Sequence, residues 1–143
     1  MIVYTLKYKN LSERKIHKDF KIVETIDNSI IQYCIDSFNA KIKWDNMFDI
    51  SEANNRISKG DKMFVAYYED TIVGYCWMKK YTEDEYYLYN IFINADSTNR
   101  NYGATDLTYL IVKNYTKGII KVDIDEWNYK SQRVAEKVGF KQL

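Results

Sequence analysis

The sequence predicts an α/β protein with a mixed (α+β) sheet, in which antiparallel hairpins come first and a parallel β-α-β-α half follows. Residues 62–80 contain two apolar segments joined by the turn Glu69–Thr71, a pattern typical of a β-hairpin. From residue 86 onward, strand-like and helical patterns alternate. A strand, a helix and a further strand in that order indicate a right-handed parallel crossover. With 143 residues, the chain is expected to form a single domain over residues 1–143.

The first part of the chain is expected to contain two strands and two helices. Residues 2–8 and 20–26 are rich in β-branched and aromatic side chains with polar positions between them, as in strands. A helix is expected to begin at Asn28 as its N-cap, with apolar side chains recurring on one face. Residues 51–58 form a second, weaker helical pattern, which Gly60 would close.

The second half is expected to alternate strands and helices. Residues 86–94 are apolar on both faces, which favours a strand in the centre of the sheet. A helix is expected to begin at Ala104 and to end near Gly118, and residues 119–125 form the next strand. The last helix is expected over residues 128–139, with an asparagine as N-cap and a glycine as the stop.

Charge and composition exclude several classes of protein. Lys and Arg number 21 against 20 Asp and Glu, so we expect no nucleic-acid partner, and the modest basic cluster at residues 7–21 is expected to be a solvated face. No apolar run reaches the length of a membrane helix and no secretory signal is present, so we expect no membrane association and a cytoplasmic protein. Cys34 and Cys76 are expected to be buried, reduced thiols, and the single histidine, His17, argues against a metal site.

The junction between the central strand and the helix at Ala104 has the features of an anion site. The first N–H groups of a helix have no partners inside it, and they attract anions together with the helix dipole. Gly103 and Ala104 are small enough for a phosphate to approach the backbone, Asn101 tolerates a left-handed conformation, and Arg100 adds positive charge. The alternative is an ordinary strand-to-helix turn with one glycine.

This junction resembles the cofactor loop of the GNAT superfamily of acetyl-CoA-dependent N-acetyltransferases. In that family a loop of pattern Arg/Gln-x-x-Gly-x-Gly/Ala follows the fourth strand and begins the helix that cradles the cofactor pyrophosphate. Two registers fit this chain: Arg100-x-x-Gly103-x-Thr105 or Thr98-x-x-Asn101-x-Gly103. The second keeps the usual spacing from the strand and is preferred. In that register Thr98 replaces the family's Arg or Gln, and Asn101 replaces its first glycine.

A second stretch carries a more specific resemblance. Residues 122–140, VDIDEWNYKSQRVAEKVGF, are similar to the family's strand, asparagine and helix ending in Tyr-Glu-Lys-x-Gly-Phe. The hairpin at residues 62–80, with Gly74, resembles the family's second and third strands. The resemblance therefore covers about residues 60–140 and implies a GNAT-like fold with acetyl-CoA (coenzyme A) as the cofactor.

The resemblance also implies which residues bind the cofactor. In the family the fourth and fifth strands splay apart, and the pantetheine arm of the cofactor pairs with the open edge of the fourth. Backbone groups of that strand would also polarise the thioester carbonyl. Carried onto this chain, the expected cofactor-binding residues are Ile91, Phe92, Ile93, Thr98, Asn99, Arg100, Asn101, Tyr102, Gly103, Ala104, Asn128 and Ser131.

Candidates for proton transfer come partly from the residues and partly from the resemblance. A base or an ordered water must deprotonate the acceptor amine. Glu85 and Asp84 are the candidate bases, and Tyr87, Tyr89 or Asn90 would hold a water; the alternative is that this acidic segment is a solvated hairpin tip.

The general acid departs from the family pattern. Where family members typically have a tyrosine, this chain has Ala135. Ser131 lies on the same helix face and is the candidate substitute for protonating the thiolate; the alternative is that Ser131 only packs under the cofactor.

The predicted function is N-acetyltransfer from acetyl-CoA to a small-molecule amine or a protein amine by direct transfer. The acidic residues 83–85 favour a cationic acceptor. The chain stops three residues after Phe140, where the family usually adds a strand, so the strand at residues 2–8 or a partner subunit in a homodimer is expected to fill that slot. The alternatives are a non-catalytic acyl-CoA-binding sensor or interaction domain of the same fold, and a domain that binds no nucleotide cofactor.

Overall fold

A computed structural model describes residues 1–42, 47–94 and 101–143. Its elements run in the order β1 (Ile2–Lys7), β2 (Phe20–Thr25), α1 (Asn28–Phe38), α2 (Ile50–Ser58), β3 (Lys62–Tyr68), β4 (Thr71–Thr82), β5 (Glu85–Ile93), α3 (Ala104–Tyr115), β6 (Ile119–Ile124), α4 (Tyr129–Val138) and β7 (Lys141–Gln142). The strands form one sheet in the order β2-β3-β4-β5-β6-β1-β7. The predicted mixed α/β fold is confirmed.

The sheet is antiparallel except between β5 and β6, which pair in parallel across the α3 crossover. As predicted, β5 is central, with β4 on one side and β6 on the other. The strand β1 lies antiparallel beside β6, and the short β7 pairs with the outer edge of β1. The expectation that the N-terminal strand fills this slot is therefore confirmed, and Tyr4 and Leu6 of β1 are each 2% exposed there.

Two hydrophobic cores lie on opposite faces of the sheet. One packs α3 and α4 on the strands through side chains such as Leu88, Leu107 and Ile111. The other packs α1 and α2 through side chains that include Cys34 and Trp77. Consecutive residues of β3 alternate between the two cores, because successive strand side chains point to opposite faces. Residues in the middle of the sheet are therefore apolar on both faces, as the sequence pattern indicates.

The helix ends follow their capping residues, with one correction to the sequence-based expectation. The N-cap of α1 is Asp27, and Asn28 is already helical. The Asp27 carboxylate accepts a hydrogen bond from the Ser29 backbone N–H at 2.8 Å, and its hydrogen bonds from Ser29 hold the pKa of Asp27 below its usual value. The prediction was wrong by one residue because Asp and Asn are equally good N-caps and stand side by side.

The cap of α4 is as predicted. Asn128 accepts from the Ser131 backbone N–H at 3.1 Å, and Gly139 ends the helix with a left-handed φ of 118°. Cys34 and Cys76 are free and fully buried, as expected. None of the helices in the described part of the chain is long and apolar enough to span a bilayer.

Candidate active site

The strands β5 and β6 pair at one end only and then separate. Their parallel register covers three residue pairs, Glu85 with Ile119, Tyr86 with Ile120, and Tyr87 with Lys121. Beyond Tyr87, β5 continues along β4 as far as Ile93. Among the residues that the structure describes, no strand pairs with the β6-facing edge of residues 88–93. This stretch of β5 is therefore an open edge that can bind an extended ligand.

A β-bulge reorients the side chains of β5 at the point where the two strands separate. Asn90 adopts a left-handed φ of 48°. The register with β4 runs from Trp77 opposite Tyr89 to Tyr75 opposite Phe92, so β5 has one extra residue there. Because side chains alternate with a period of two, the extra residue places Ile91 against the α3 and α4 core and Phe92 against the α1 and α2 core.

A cavity of about 330 Å³ opens in the gap between the separated strands. The N-terminal turn of α3 contributes Ala104, and α4 contributes Ser131 and Ala135. Five of the predicted catalytic and cofactor-binding residues line this one cavity: Asn90, Ile91, Ala104, Asn128 and Ser131. They come from β5, α3 and the start of α4, so only the fold brings them together.

The start of α3 leaves room beside the backbone. Gly103 is the N-cap, with an extended φ of −169° and no side-chain cap hydrogen bond. A Cβ added to Gly103 would meet no atom of the described residues within 4 Å. Neither backbone conformation nor packing within the described residues therefore requires glycine here. A small residue at this position leaves room for a ligand at the first turn of α3.

An acidic residue in the first turn of α3 is neutralised from the N-terminal segment. Asp106 is 6% exposed, and its carboxylate accepts a hydrogen bond from Arg14 Nε at 2.6 Å. This pair cancels a negative charge that would otherwise repel an anion at the helix start. The Arg14 guanidinium thus lies at the predicted anion site, although sequence reasoning had placed it in a solvated basic face.

Glu85 lies outside the cavity. Its carboxylate forms an ion pair with Lys121 at 3.0 Å at the closed end of the two strands. Glu83 pairs with Lys80 at 3.3 Å. The acidic segment at residues 83–85 is thus largely paired with lysines, which weakens the electrostatic argument for a cationic acceptor.

Other predicted binding residues face the protein. Phe92 packs against the Phe38 ring with centroids 5.0 Å apart, and Ile93 packs against the α3 and α4 core. Tyr102 stacks on Phe20, with ring centroids 5.5 Å apart. Asn101 donates a hydrogen bond from Nδ2 to Tyr68 Oη at 2.7 Å. The predicted residues Thr98, Asn99 and Arg100, and with them the choice of loop register, lie outside the described residues.

Tyr87 and Asp123 form a polar contact across the gap that sequence reasoning did not identify. Both residues line the cavity, and Tyr87 Oη donates to Asp123 Oδ2 at 3.1 Å. Burial, followed by the negative charge of Asp123, raises the pKa of Tyr87 to about 12. The alternation of tyrosines along β5 is a sequence signal for this face, but only the tertiary structure brings Asp123, two residues beyond the paired Lys121, within reach of Tyr87.

Arg56 was also missed, because it lies in a short, weak helix far from β5 in the sequence. Its guanidinium lies over the rings of Phe48, Trp77 and Tyr89, at 5.0 to 5.3 Å from their centroids. Its Nη1 donates to Asn90 Oδ1 at 2.9 Å. Arg56 therefore holds the bulge residue from the α2 side of the sheet, and the cation–π contacts stabilise its buried charge.

Comparison with known proteins is consistent with this geometry. The family model described as the acetyltransferase (GNAT) family matches residues 24–140. A search of curated proteins gave no significant match.

Solved structures share the fold at low sequence identity. A ribosomal-protein-alanine N-acetyltransferase from Brucella melitensis is 17% identical with a TM-score of 0.61, and the match covers 85% of this chain and 84% of that chain. An aminoglycoside acetyltransferase from an uncultured soil metagenomic sample is 18% identical with a TM-score of 0.59, over 87% of this chain and 90% of that chain.

A tandem GNAT protein from the clavulanic acid biosynthesis pathway is 12% identical with a TM-score of 0.63, over 99% of this chain and 49% of that chain. This chain spans between 47% and 57% of the length of the larger structures that it matches over 95% or more of its own. At these identities the structural matches show a common fold. Since the family model matches most of the sequence, the chain belongs to the acetyltransferase (GNAT) family.

Proposed function

We propose that this protein transfers an acetyl group from acetyl-CoA to a primary amine by direct transfer. The observation that carries the proposal is the separation of β5 from β6 after Tyr87, with a cavity in the gap bounded by the starts of α3 and α4. This arrangement offers an open strand edge and a helix N-terminus to one ligand. An extended chain that ends in a diphosphate matches both.

The described residues fit coenzyme A by three criteria. The first turn of α3 has no side-chain cap hydrogen bond, and no atom of the described residues lies within 4 Å of a Cβ added to Gly103. The backbone of residues 88–93 has no strand partner on the cavity side. The walls of the cavity carry the small side chains of Ala104, Ser131 and Ala135. In this assignment α3 would hold the diphosphate, and β5 would hold the pantetheine arm.

Acetyl-CoA would supply the acetyl group as a thioester, which is activated toward attack by an amine. The bulge at Asn90 would orient the backbone N–H groups of β5 that polarise the carbonyl oxygen. The Asn90 side chain is held by Arg56, so the bulge is supported from the opposite face. Preorganised donors of this kind avoid reorganisation during the reaction.

Direct transfer is favoured over a covalent enzyme intermediate because the cysteines are poor nucleophiles. Cys34 and Cys76 are fully buried, and neither lines the cavity. Burial raises the pKa of Cys34 to about 12 and also raises the pKa of Cys76. The thiolate is the nucleophilic form of cysteine, so neither side chain is suited to accept the acetyl group.

Two hydroxyl groups are candidates for protonating the departing thiolate. Ser131 lines the cavity on α4, one turn before Ala135, where family members typically have a tyrosine. Tyr87 lines the cavity from β5, and its hydroxyl donates a hydrogen bond to Asp123 Oδ2. We assign the role to Ser131 or a water that it holds, because Ser131 lies on the helix face of Ala135 and the Tyr87 hydroxyl already donates to Asp123.

The experiment is calorimetry with acetyl-CoA followed by thiol release with a panel of amines. Tight binding with amine-dependent thiol release supports the proposal. If Ser131 positions the proton for the departing thiolate, Ser131→Ala is expected to lower kcat by about 10²-fold or more. Tyr87→Phe is expected to change kcat little. An unchanged rate in Ser131→Ala together with a loss in Tyr87→Phe would reverse this assignment.

A non-catalytic acyl-CoA-binding module is the second candidate, and Ala135 is the observation that favours it. Loss of a positioned general acid typically lowers the rate by about 10² to 10⁴. Tight binding of acetyl-CoA without thiol release for any amine would support the binding module. Absence of acetyl-CoA binding would exclude both functions.

A further inference from the structure

A second pocket of about 260 Å³ lies on the α2 side of the sheet. We call it the acceptor pocket and define it by Lys59, Asp61, Lys79, Tyr81, Tyr87 and Tyr89, which all line it. Tyr87 and Tyr89 also line the cavity between β5 and β6. The two spaces therefore meet at the same two side chains of β5, and a molecule in the acceptor pocket would lie next to the cavity.

The pocket contains a buried carboxylate that is only partly satisfied. Asp61 is 8% exposed, and it accepts a hydrogen bond from Tyr89 Oη. No other described side chain donates to the Asp61 carboxylate. An ionised carboxylate has about four acceptor sites, so the Asp61 carboxylate can accept further hydrogen bonds from a molecule in the pocket. A primary ammonium group would pair with the remaining oxygen.

Aromatic rings beside this carboxylate also suit an ammonium group. The rings of Tyr87 and Tyr89 are stacked, with centroids 5.7 Å apart, and the Tyr81 ring is 6.3 Å from that of Tyr87. The faces of such rings attract cations by about 0.5–2 kcal/mol each. The carboxylate and the rings thus define the side of the pocket that would receive the amine.

The rim of the pocket carries positive charge, opposite to that of Asp61. Within the pocket, Arg56 pairs with Glu52 at 3.1 Å, so these two charges cancel. Lys59 and Lys79 form no ion pair with any described residue. Lys79 lies directly opposite Tyr87 in the β4–β5 register. One negative charge, from Asp61, and two positive charges, from Lys59 and Lys79, therefore face the same pocket.

We propose that the acceptor is a zwitterion: a primary amine that also carries a carboxylate or a similar anionic group. Its ammonium group contacts Asp61 and the tyrosine rings, and its anionic group contacts Lys59 and Lys79. This inference rests on the proposed acetyltransferase function, because it names the acceptor class for the same site. It replaces the purely cationic acceptor that the acidic residues 83–85 suggest in the sequence.

The test uses matched pairs of amines that differ only in the carboxylate. β-Alanine is compared with ethylamine, 4-aminobutyrate with propylamine, and 5-aminovalerate with butylamine, each by thiol release from acetyl-CoA. For at least one pair we expect kcat/KM to be ten times or more higher for the amino acid. Equal or higher values for the simple amine in all three pairs would overturn the proposal.

Variants locate the effect in the pocket. Lys79→Gln is expected to reduce the preference for the amino acid to within threefold of the simple amine. Lys117→Gln, an exposed lysine on another surface, is the matched control and should retain the full preference. A preference that survives both Lys79→Gln and Lys59→Gln would refute the assignment.

Failure of this inference can be distinguished from failure of the proposed function. Saturation-transfer NMR measures binding of the amino acids to the protein without acetyl-CoA, and calorimetry measures acetyl-CoA binding separately. Amino-acid binding that Lys79→Gln weakens supports the pocket even if no transfer occurs. Acetyl-CoA binding together with no amino-acid binding would overturn the acceptor assignment alone.

Discussion

Replacing Gly103 with valine should separate cofactor binding from folding. Gly103 caps α3 with an extended backbone that any residue adopts, and an added Cβ would meet no atom of the described residues within 4 Å. Valine is a poorer N-cap than glycine by about 1 kcal/mol. Replacing glycine also lowers the conformational entropy of the unfolded chain, which stabilises the folded state by about 0.4–1 kcal/mol. The free energy of unfolding should therefore change by less than about 1 kcal/mol.

The effect on coenzyme A should be larger. A valine side chain would occupy the space through which a diphosphate approaches the first turn of α3. Losing one charge-assisted hydrogen bond costs about 1.5–3 kcal/mol, and the helix dipole contributes about 0.3–1 kcal/mol. The dissociation constant should rise by about 20-fold or more, since each 1.4 kcal/mol is a factor of ten.

The assay pairs calorimetry with acetyl-CoA and urea unfolding. Asp49→Val is the matched control, because Asp49 caps α2 by accepting from the Glu52 backbone N–H at 2.8 Å. Asp49→Val should destabilise the fold by about 1 kcal/mol and leave the affinity for acetyl-CoA unchanged. An unchanged affinity in Gly103→Val, with both proteins folded, would refute the assignment of the diphosphate to this helix.

Three further predictions concern the thiols, one turn and the acidic hairpin. The raised pKa of Cys34, about 12 against 9.0, lowers its thiolate fraction about a thousandfold at pH 8, so alkylation of Cys34 should require unfolding; rapid labelling of the native protein at pH 8 would contradict this. For the same reason the contribution of this thiol to the free energy of unfolding is complete below pH 9 and is lost as the pH rises toward 12. Gly139→Ala should cost about 1–3 kcal/mol in urea unfolding, because φ is 118° and the new Cβ would lie 2.7 Å from the Asn10 carbonyl oxygen; an unchanged midpoint would show that the turn relaxes. Glu85→Gln should keep kcat/KM within twofold because its carboxylate pairs with Lys121 outside the cavity, and a tenfold loss would restore Glu85 as the base.

The sequence predicted most elements because local signals agreed with the fold. The hairpin turn, the apolar central strand and the helix that ends at Gly139 were all placed to within a few residues. The error at the start of α1 arose where Asp27 and Asn28 offer equivalent caps, and only backbone geometry decides between them. The end of α3 at Tyr115 falls three residues before Gly118, since this helix does not use that glycine as its cap.

The residues that line the cavity could be predicted from the sequence only where one segment contains a complete motif. Asn128 and Ser131 belong to a motif with fixed spacing, and both line the cavity. Arg56 and Asp61 carry no local signal, because each acquires its role from tyrosines of β5 about 30 residues later in the chain. Glu85 was a candidate by its position on the strand, yet β6 brings Lys121 beside it.

The sequence alone determined the alternation of strands and helices, since hydrophobic period and capping residues act over a few neighbouring positions. The tertiary structure decided where β5 separates from β6, which pockets the tyrosines of β5 line, and which charges remain unpaired in the acceptor pocket. Those features depend on contacts between residues that are far apart in the chain. Local pattern cannot encode them, because a single bulge at Asn90 changes which face every later side chain of the strand presents.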